Sequence, residues 1–186
     1  LGERLPIEGA SVTGTGSVTL RLQRPMLSDV PFEAWRFTVN GTIRDFAGNM
    51  SERRVALSQG QLSVRGDQRA VTVTGPIRAG TSQIQNVRWT ENIIAGRRGQ
   101  SSSEYQISGD FDANDLERLG YPVARYAQGR IGVTVSGEGR GFDVDNARID
   151  LDLTNAAIEA PRQFCTKRAG LAASARFNVQ RQSDGG

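Results

Sequence analysis

Residues 129–153 read GRIGVTVSGEGRGFDVDNARIDLDL, two alternating runs joined by a glycine-rich connection. Ile131, Val133 and Val135 alternate with Gly132, Thr134 and Ser136. Ala147, Ile149, Leu151 and Leu153 alternate with Arg148, Asp150 and Asp152. A period of two is the signature of a half-buried strand, because successive side chains point to opposite faces of a sheet. Charges between the branched apolar residues rule out the interior of a parallel sheet, which is apolar on both faces. They favour an antiparallel sheet with one wet face. The other face must then find something apolar to lie against.

The same pattern recurs outward from this stretch. Towards the N-terminus, Tyr105, Ile107 and Phe111 alternate, and Asp112 then precedes a short helical run closed by Gly120 and Pro122. An N-cap, a run and a stop predict one short helix near 112–119. Further back, Val18, Leu20 and Leu22 form a first strand ending at Pro25, and Trp35, Phe37, Val39 and Ile43 a longer second one. Three short runs at Val55 and Leu57, Leu62 and Val64, and Val71 and Val73 read as a meander, with connections at Gly60 and at Gly66-Asp67. Apolar parity changes between Ile84 and Val87, which predicts a bulge. Residues 96–103, GRRGQSSS, have loop composition. Towards the C-terminus, Leu171, Ala173, Ala175, Phe177 and Val179 give the longest clean alternation before a tail from Arg181. The fold class is therefore mainly β: an antiparallel meander of many strands forming a curved, groove-like sheet or a sandwich, with one short helix.

An internal comparison adds to this. Residues 37–46 align without gaps on residues 133–142, Val39 falling on Val135 at an offset of 96 positions. Thr, Val, Gly, Arg and Phe match outright, and Leu62 falls on Ile158 at the same offset. The chain is expected to be a single β-rich segment over 1–186, with two sheet repeats at about 17–95 and 104–180.

Composition limits the chemistry. There is no histidine, so the Ser-His-Asp and Cys-His nucleophile systems, the usual zinc sites and imidazole acid–base catalysis all lack their central side chain. Cys165 stands alone, so no intrachain disulfide forms. The net charge of +3 is spread as arginines among carboxylates, with Arg53-Arg54 and Arg97-Arg98 the densest pairs, and no basic block or aromatic platform for nucleic acid accompanies it. Asp110, Asp112 and Asn114 imitate the start of a calcium loop, but Asp115 takes the place of the turn glycine and Tyr121 that of the bidentate Glu. Asp143 and Asp145 read as an acidic turn. Gly137 to Gly141 precedes no helix, so it lacks the N-terminus that makes such loops hold phosphate. No run approaches the ~18 apolar residues of a membrane span. The start at Leu1 is expected to reflect excision from a longer protein, with any anchor outside it.

What covers the apolar face has three answers at this point: a second sheet, the same sheet bent over, or a ligand. Burying each Val, Leu, Ile or Phe is worth roughly 1.5–3 kcal/mol, so a dozen such positions call for a cover.

The stretches ISGDFDANDLERLGYP (107–122), GRIGVTVSGEG (129–139), ARIDLDLTNAAIEAP (147–161) and AGLAASARFNV (169–179) resemble the AsmA-like proteins of bacterial envelopes, in particular the long YhdP-type branch. GSVTLRLQRPMLSDV (16–30) and VNGTIRDF (39–46) extend the resemblance over most of the chain. It implies a periplasmic segment of a protein anchored in the inner membrane by a helix outside this segment. Successive strands there form a groove whose apolar lining carries phospholipid acyl chains towards the outer membrane, without catalysis or cofactor. Carried onto the alternations above, the lining is Ile131, Val133, Val135, Ile149, Leu151, Leu153, Leu171, Phe177 and Val179. The implied partners are phospholipid and neighbouring repeats of the same longer chain, not nucleic acid, with edge-to-edge self-association of the excised segment also open. The alternative is a non-catalytic β-sandwich module supporting envelope assembly.

Overall fold

A computed structural model describes residues 12–26, 31, 34–50, 55–93, 102–141, 143–159 and 166–181. They form one open antiparallel sheet of eleven strands with a single short helix. In chain order these are β1 (Thr13–Gln23), β2 (Arg36–Met50), β3 (Val55–Asp67), β4 (Ala70–Ala79), β5 (Ser82–Asn92), β6 (Ser103–Asp112), α1 (Ala113–Arg118), β7 (Ala127–Arg140), β8 (Asp143–Asp152), β9 (Ala156–Glu159), β10 (Thr166–Lys167) and β11 (Ser174–Gln180). The spatial order follows the sequence from β1 to β8 and ends on β11. Such a meander needs no crossover, because each strand simply turns back on the one before it.

Two apparent extra strands are continuations. Gly132 of β7 faces Asp152 of β8, and Gly129 faces Ala156 of β9, so β9 prolongs the line of β8 with one extra residue on its side. Similarly, Lys167 of β10 faces Ile158, and Ser174 of β11 faces Asp152. The two interruptions lie side by side and are tied together: Leu153 N donates to Ala173 O at 2.9 Å and Gly170 N to Thr154 O at 2.7 Å. This turn also holds Leu171, so β11 starts three residues later than the alternation predicts.

Other boundaries move for comparable reasons. Val55–Leu57 and Leu62–Val64 belong to one strand, β3; Gly60 is inside it, where the pairing slips between Ser58 and Ser63 and Gln59 has φ 53°. The glycine run at 137–140 is likewise strand, the end of β7, not a link. A Cβ on Gly137 would sit 2.6 Å from Asn146 O, so glycine there permits close approach of β8. The predicted bulge is present: register shifts between Ile84 and Asn86 in β5, and the facing strand slips between Gly75 and Ile77. The connection at Gly66-Asp67 is real, with Asp67 Oδ1 accepting from Arg69 N at 2.7 Å and Ala70 N at 3.2 Å. The expected loop at 96–103 falls outside the described residues as far as 101; Ser103 already pairs with Gly139. Arg53-Arg54, Arg97-Arg98 and Cys165 lie outside them too, as does the tail beyond Arg181.

The two matched stretches lie in β2 and β7. These are five strands apart, an odd number, so they run in opposite directions across the sheet. Gly41 and Gly137 nevertheless fall in one cross-strand row, Gly41–Val64–Val73–Trp89–Tyr105–Gly137.

The helix is where the sequence predicts it. Asp112 caps it, its Oδ1 accepting from Asn114 N at 2.9 Å. Gly120, at φ 95°, and Tyr121 close it, Tyr121 N donating to Leu116 O at 2.9 Å. The core gathers beneath this helix: Val55, Ile77, Ala79, Ile84, Phe111, Ala113, Leu116, Ala127, Ile131, Val133 and Ala156 are all buried.

Candidate functional site: an open apolar face

In an antiparallel sheet, directly paired residues share a face, so the register reads out each face row by row. One face is apolar across its width. Its rows include Ile77–Ile84–Gly109–Val133–Leu151–Ala175, Val87–Ile107–Val135–Ile149–Phe177 and Val73–Trp89–Tyr105–Gly137–Ala147–Val179. On the far side, Leu20 faces Val39 and Leu22 faces Phe37. The opposite face is polar, with rows such as Arg88–Gln106–Ser136–Arg148–Asn178 and Asn86–Ser108–Thr134–Asp150–Arg176.

Only part of the apolar face is covered. Ile131 is 1% exposed and Val133 7%, both packed in the core with Ala113 and Leu116 of α1. Val135, Ile149, Leu151 and Leu153 are half-buried against that cluster. Phe177 and Val179 remain about half exposed on β11, as do Val18, Leu20 and Leu22 on β1. Among the described residues no second sheet lies over these positions, since all eleven strands belong to one.

Of the nine lining residues expected from sequence, seven share this face: Ile131, Val133, Val135, Ile149, Leu151, Phe177 and Val179. Ile131 is sealed beneath α1. Leu153 lies just past β8 and Leu171 in the turn before β11. Several members of the face are absent from the lining expected from sequence, notably Val87, Trp89, Tyr105 and Ile107. Their alternation is legible, but the bulge at 84–86 shifts parity within β5, and only the register shows that Ile84 and Val87 point the same way.

The covered end of the face is held by one carboxylate. Asp115 of α1 is 1% exposed. Its Oδ2 accepts from Thr81 N at 2.8 Å, Thr81 Oγ1 at 2.7 Å and Ser82 Oγ at 2.8 Å, and Arg118 Nη1 lies 3.4 Å from Oδ1. Ser82 Oγ in turn accepts from Asp112 N at 2.9 Å. Burial pushes the Asp115 carboxyl up, but the hydrogen bonds from Thr81 and Ser82 outweigh it and hold the group below its ordinary value. The network fixes the β4–β5 turn to the helix, and so fixes the helix over the core.

On the polar face, Gly132 leaves a shallow depression of about 590 Å³ bordered by Asp110, Thr134, Asp150, Asp152, Ser174 and Arg176. Its carboxylates are already engaged. Asp150 bonds Arg176 and, at 3.0 Å, Arg148 Nε, and the Arg176 hydrogen bond is the main cause that holds its carboxyl below the usual range. Asp152 is lowered too, first by the Thr154 side chain and then by Thr154 N, which donates to it at 2.9 Å. Among the described residues no group of three or more His, Cys, Asp or Glu side chains is placed to hold a metal ion, and no helix is long and apolar enough to cross a membrane. Asp145 meets Arg140 Nε at 3.8 Å within the β7–β8 hairpin. No family model, curated protein or solved structure matches this chain.

Proposed function

We propose that the open apolar face is a bed for phospholipid acyl chains, and that the chain is a segment of a non-enzymatic lipid-conducting groove of the AsmA-like kind. One observation carries the reading: an apolar face that runs from β1 to β11 and stays half exposed at both ends, covered in part by α1 and by no second sheet among the described residues. Such a face is costly in water, since each exposed methylene that gains an apolar neighbour returns about 0.8 kcal/mol. Acyl chains suit it better than a shaped ligand, because its rows are mostly aliphatic with a few aromatic rings and they lack a convergent set of polar groups to orient a small molecule. The sequence resemblance supplies the setting, a periplasmic position in a longer protein anchored in the inner membrane. On this reading the polar face, with its Arg148–Asp150–Arg176 bonding, meets water.

The lining that does the work is then Val87, Ile107, Val135, Ile149, Phe177 and Val179, while Ile131 and Val133 belong to the supporting core. Native mass spectrometry of the purified chain, with extraction and identification of anything bound, tests this directly. Co-purifying phospholipid that is lost in Phe177→Asp and Val179→Asp, both still folded by circular dichroism, is the expected result. A clean unliganded mass, or lipid retained equally in both variants, would sink it and favour the interaction module, whose apolar face is closed by protein.

A further inference from the structure

We propose that β1 is a homodimerisation edge, through which two copies of this chain pair antiparallel about a two-fold axis at Thr19. β1 ends the strand order, so among the described residues β2 is its one neighbour in the sheet, and all eleven of its residues are exposed. The side of β1 away from β2 therefore presents a row of backbone N–H and C=O groups, a template for another strand. Few features blunt this edge. β1 has no proline, lysine or carboxylate, Arg21 is its one charge, and its register slips only between Thr13 and Thr15 and then runs unbroken to Gln23. The other end of the sheet is a weaker candidate, because β11 has seven residues and follows the interrupted turn at 168–173.

Residues 15–23 are self-complementary when reversed about Thr19. Val18 meets Leu20 twice, Leu22 meets Gly16, Ser17 meets Arg21, Thr15 meets Gln23, and Thr19 meets Thr19. Every pair joins residues of one face, because each sum of positions is even. Apolar side chains therefore meet apolar side chains or glycine, and the single charge on the strand, Arg21, falls opposite a serine. A threonine pair at the centre is a favourable cross-strand contact. A two-fold axis perpendicular to the sheet also keeps both apolar faces on the same side. The dimer doubles the face, and Val18 and Leu20, each 61% exposed, gain neighbours across the seam. None of this depends on what the face binds.

Thr19 lies on the polar face, so it can be changed without touching the apolar one. Sedimentation of the purified chain at rising concentration should show a monomer–dimer equilibrium that Thr19→Lys abolishes, by placing two ammonium groups directly opposite each other, with the fold unchanged by circular dichroism. In a Cys165→Ser background, Thr19→Cys should form a disulfide-linked dimer under mild oxidation, whereas Asn178→Cys on β11 should not. A chain that stays monomeric, a dimer indifferent to Thr19→Lys, or crosslinking through Asn178→Cys in place of Thr19→Cys overturns the proposal. Lipid capture by the monomeric Thr19→Lys variant separates this outcome from that of the groove.

Discussion

Asp115 and Gly80 show how much of the covered end rests on single side chains. The Asp115 carboxylate is acceptor to three donors from Thr81 and Ser82, and Gly80, at φ 60°, passes so close that an added Cβ would lie 2.5 Å from Oδ1. Asp115→Asn keeps the volume and one acceptor oxygen for Thr81 and Ser82, but it turns their charge-assisted bonds into neutral ones and faces Arg118 with an N–H₂ group, at a cost of about 1–2 kcal/mol. A lower urea midpoint with an unchanged slope is the expected reading. Acid titration adds a sign. The folded carboxyl sits below its ordinary value, so its contribution is full above the unfolded pKa and is lost as pH falls through the folded one. The parent should therefore lose stability faster than Asp115→Asn below about pH 4, and the gap between them should narrow there. Gly80→Ala is expected to cost at least about 1–2 kcal/mol, from the left-handed backbone before any clash is counted, in the same urea experiment.

The strands of the covered and open halves should answer one substitution in opposite ways. Ile131 in β7 is 1% exposed, so Ile131→Asp buries an unpaired charge at a cost of several kcal/mol, enough to unfold a domain of ordinary marginal stability. Phe177→Asp on β11 places its carboxylate at a position 51% exposed, and the folded circular dichroism spectrum should persist with little change in melting temperature. Legibility divides along the same line. The alternation of residues 129–153 gave the strands, their antiparallel pairing and the sidedness of the sheet, and Asp112 with Gly120 gave the helix ends. Burial was not legible, because Ile131 and Phe177 carry the same pattern and differ only in lying under α1 or at an edge. The glycine run at 137–140 has the composition of a link yet is strand, for a related reason. Its glycines serve close strand approach, and a sequence does not distinguish a glycine that turns the chain from one that lets a neighbour near. Leu171 fell out of its strand because the turn at 168–173 follows from pairing with the gap after β8, a long-range match invisible to local periodicity.

Taken as one object, the sheet is firm beneath α1 and thin towards its two edges. Burial is concentrated in β3 to β7 with the helix, whereas β1 and β11 expose their large apolar residues and each borders a single strand in the main order. Local stability follows such contacts, so opening free energies should fall from the centre outwards. Hydrogen exchange is the natural probe. Amides of β6 and of the β7 segment around Ile131 should exchange last, and those of β1 and β11 first, by large factors. Added phospholipid in mild detergent then separates the sources of protection. If acyl chains lie on the open face, exchange should slow in β8 and β11, where Ile149, Phe177 and Val179 gain cover, with little change in β6. The Phe177→Asp chain should show no such slowing. Protection in β1 that rises with protein concentration and vanishes in Thr19→Lys would instead report strand pairing at that edge. A uniform profile across all strands would mean that the edges are held by contacts other than those that build the core, and would remove the physical basis for an exposed apolar bed.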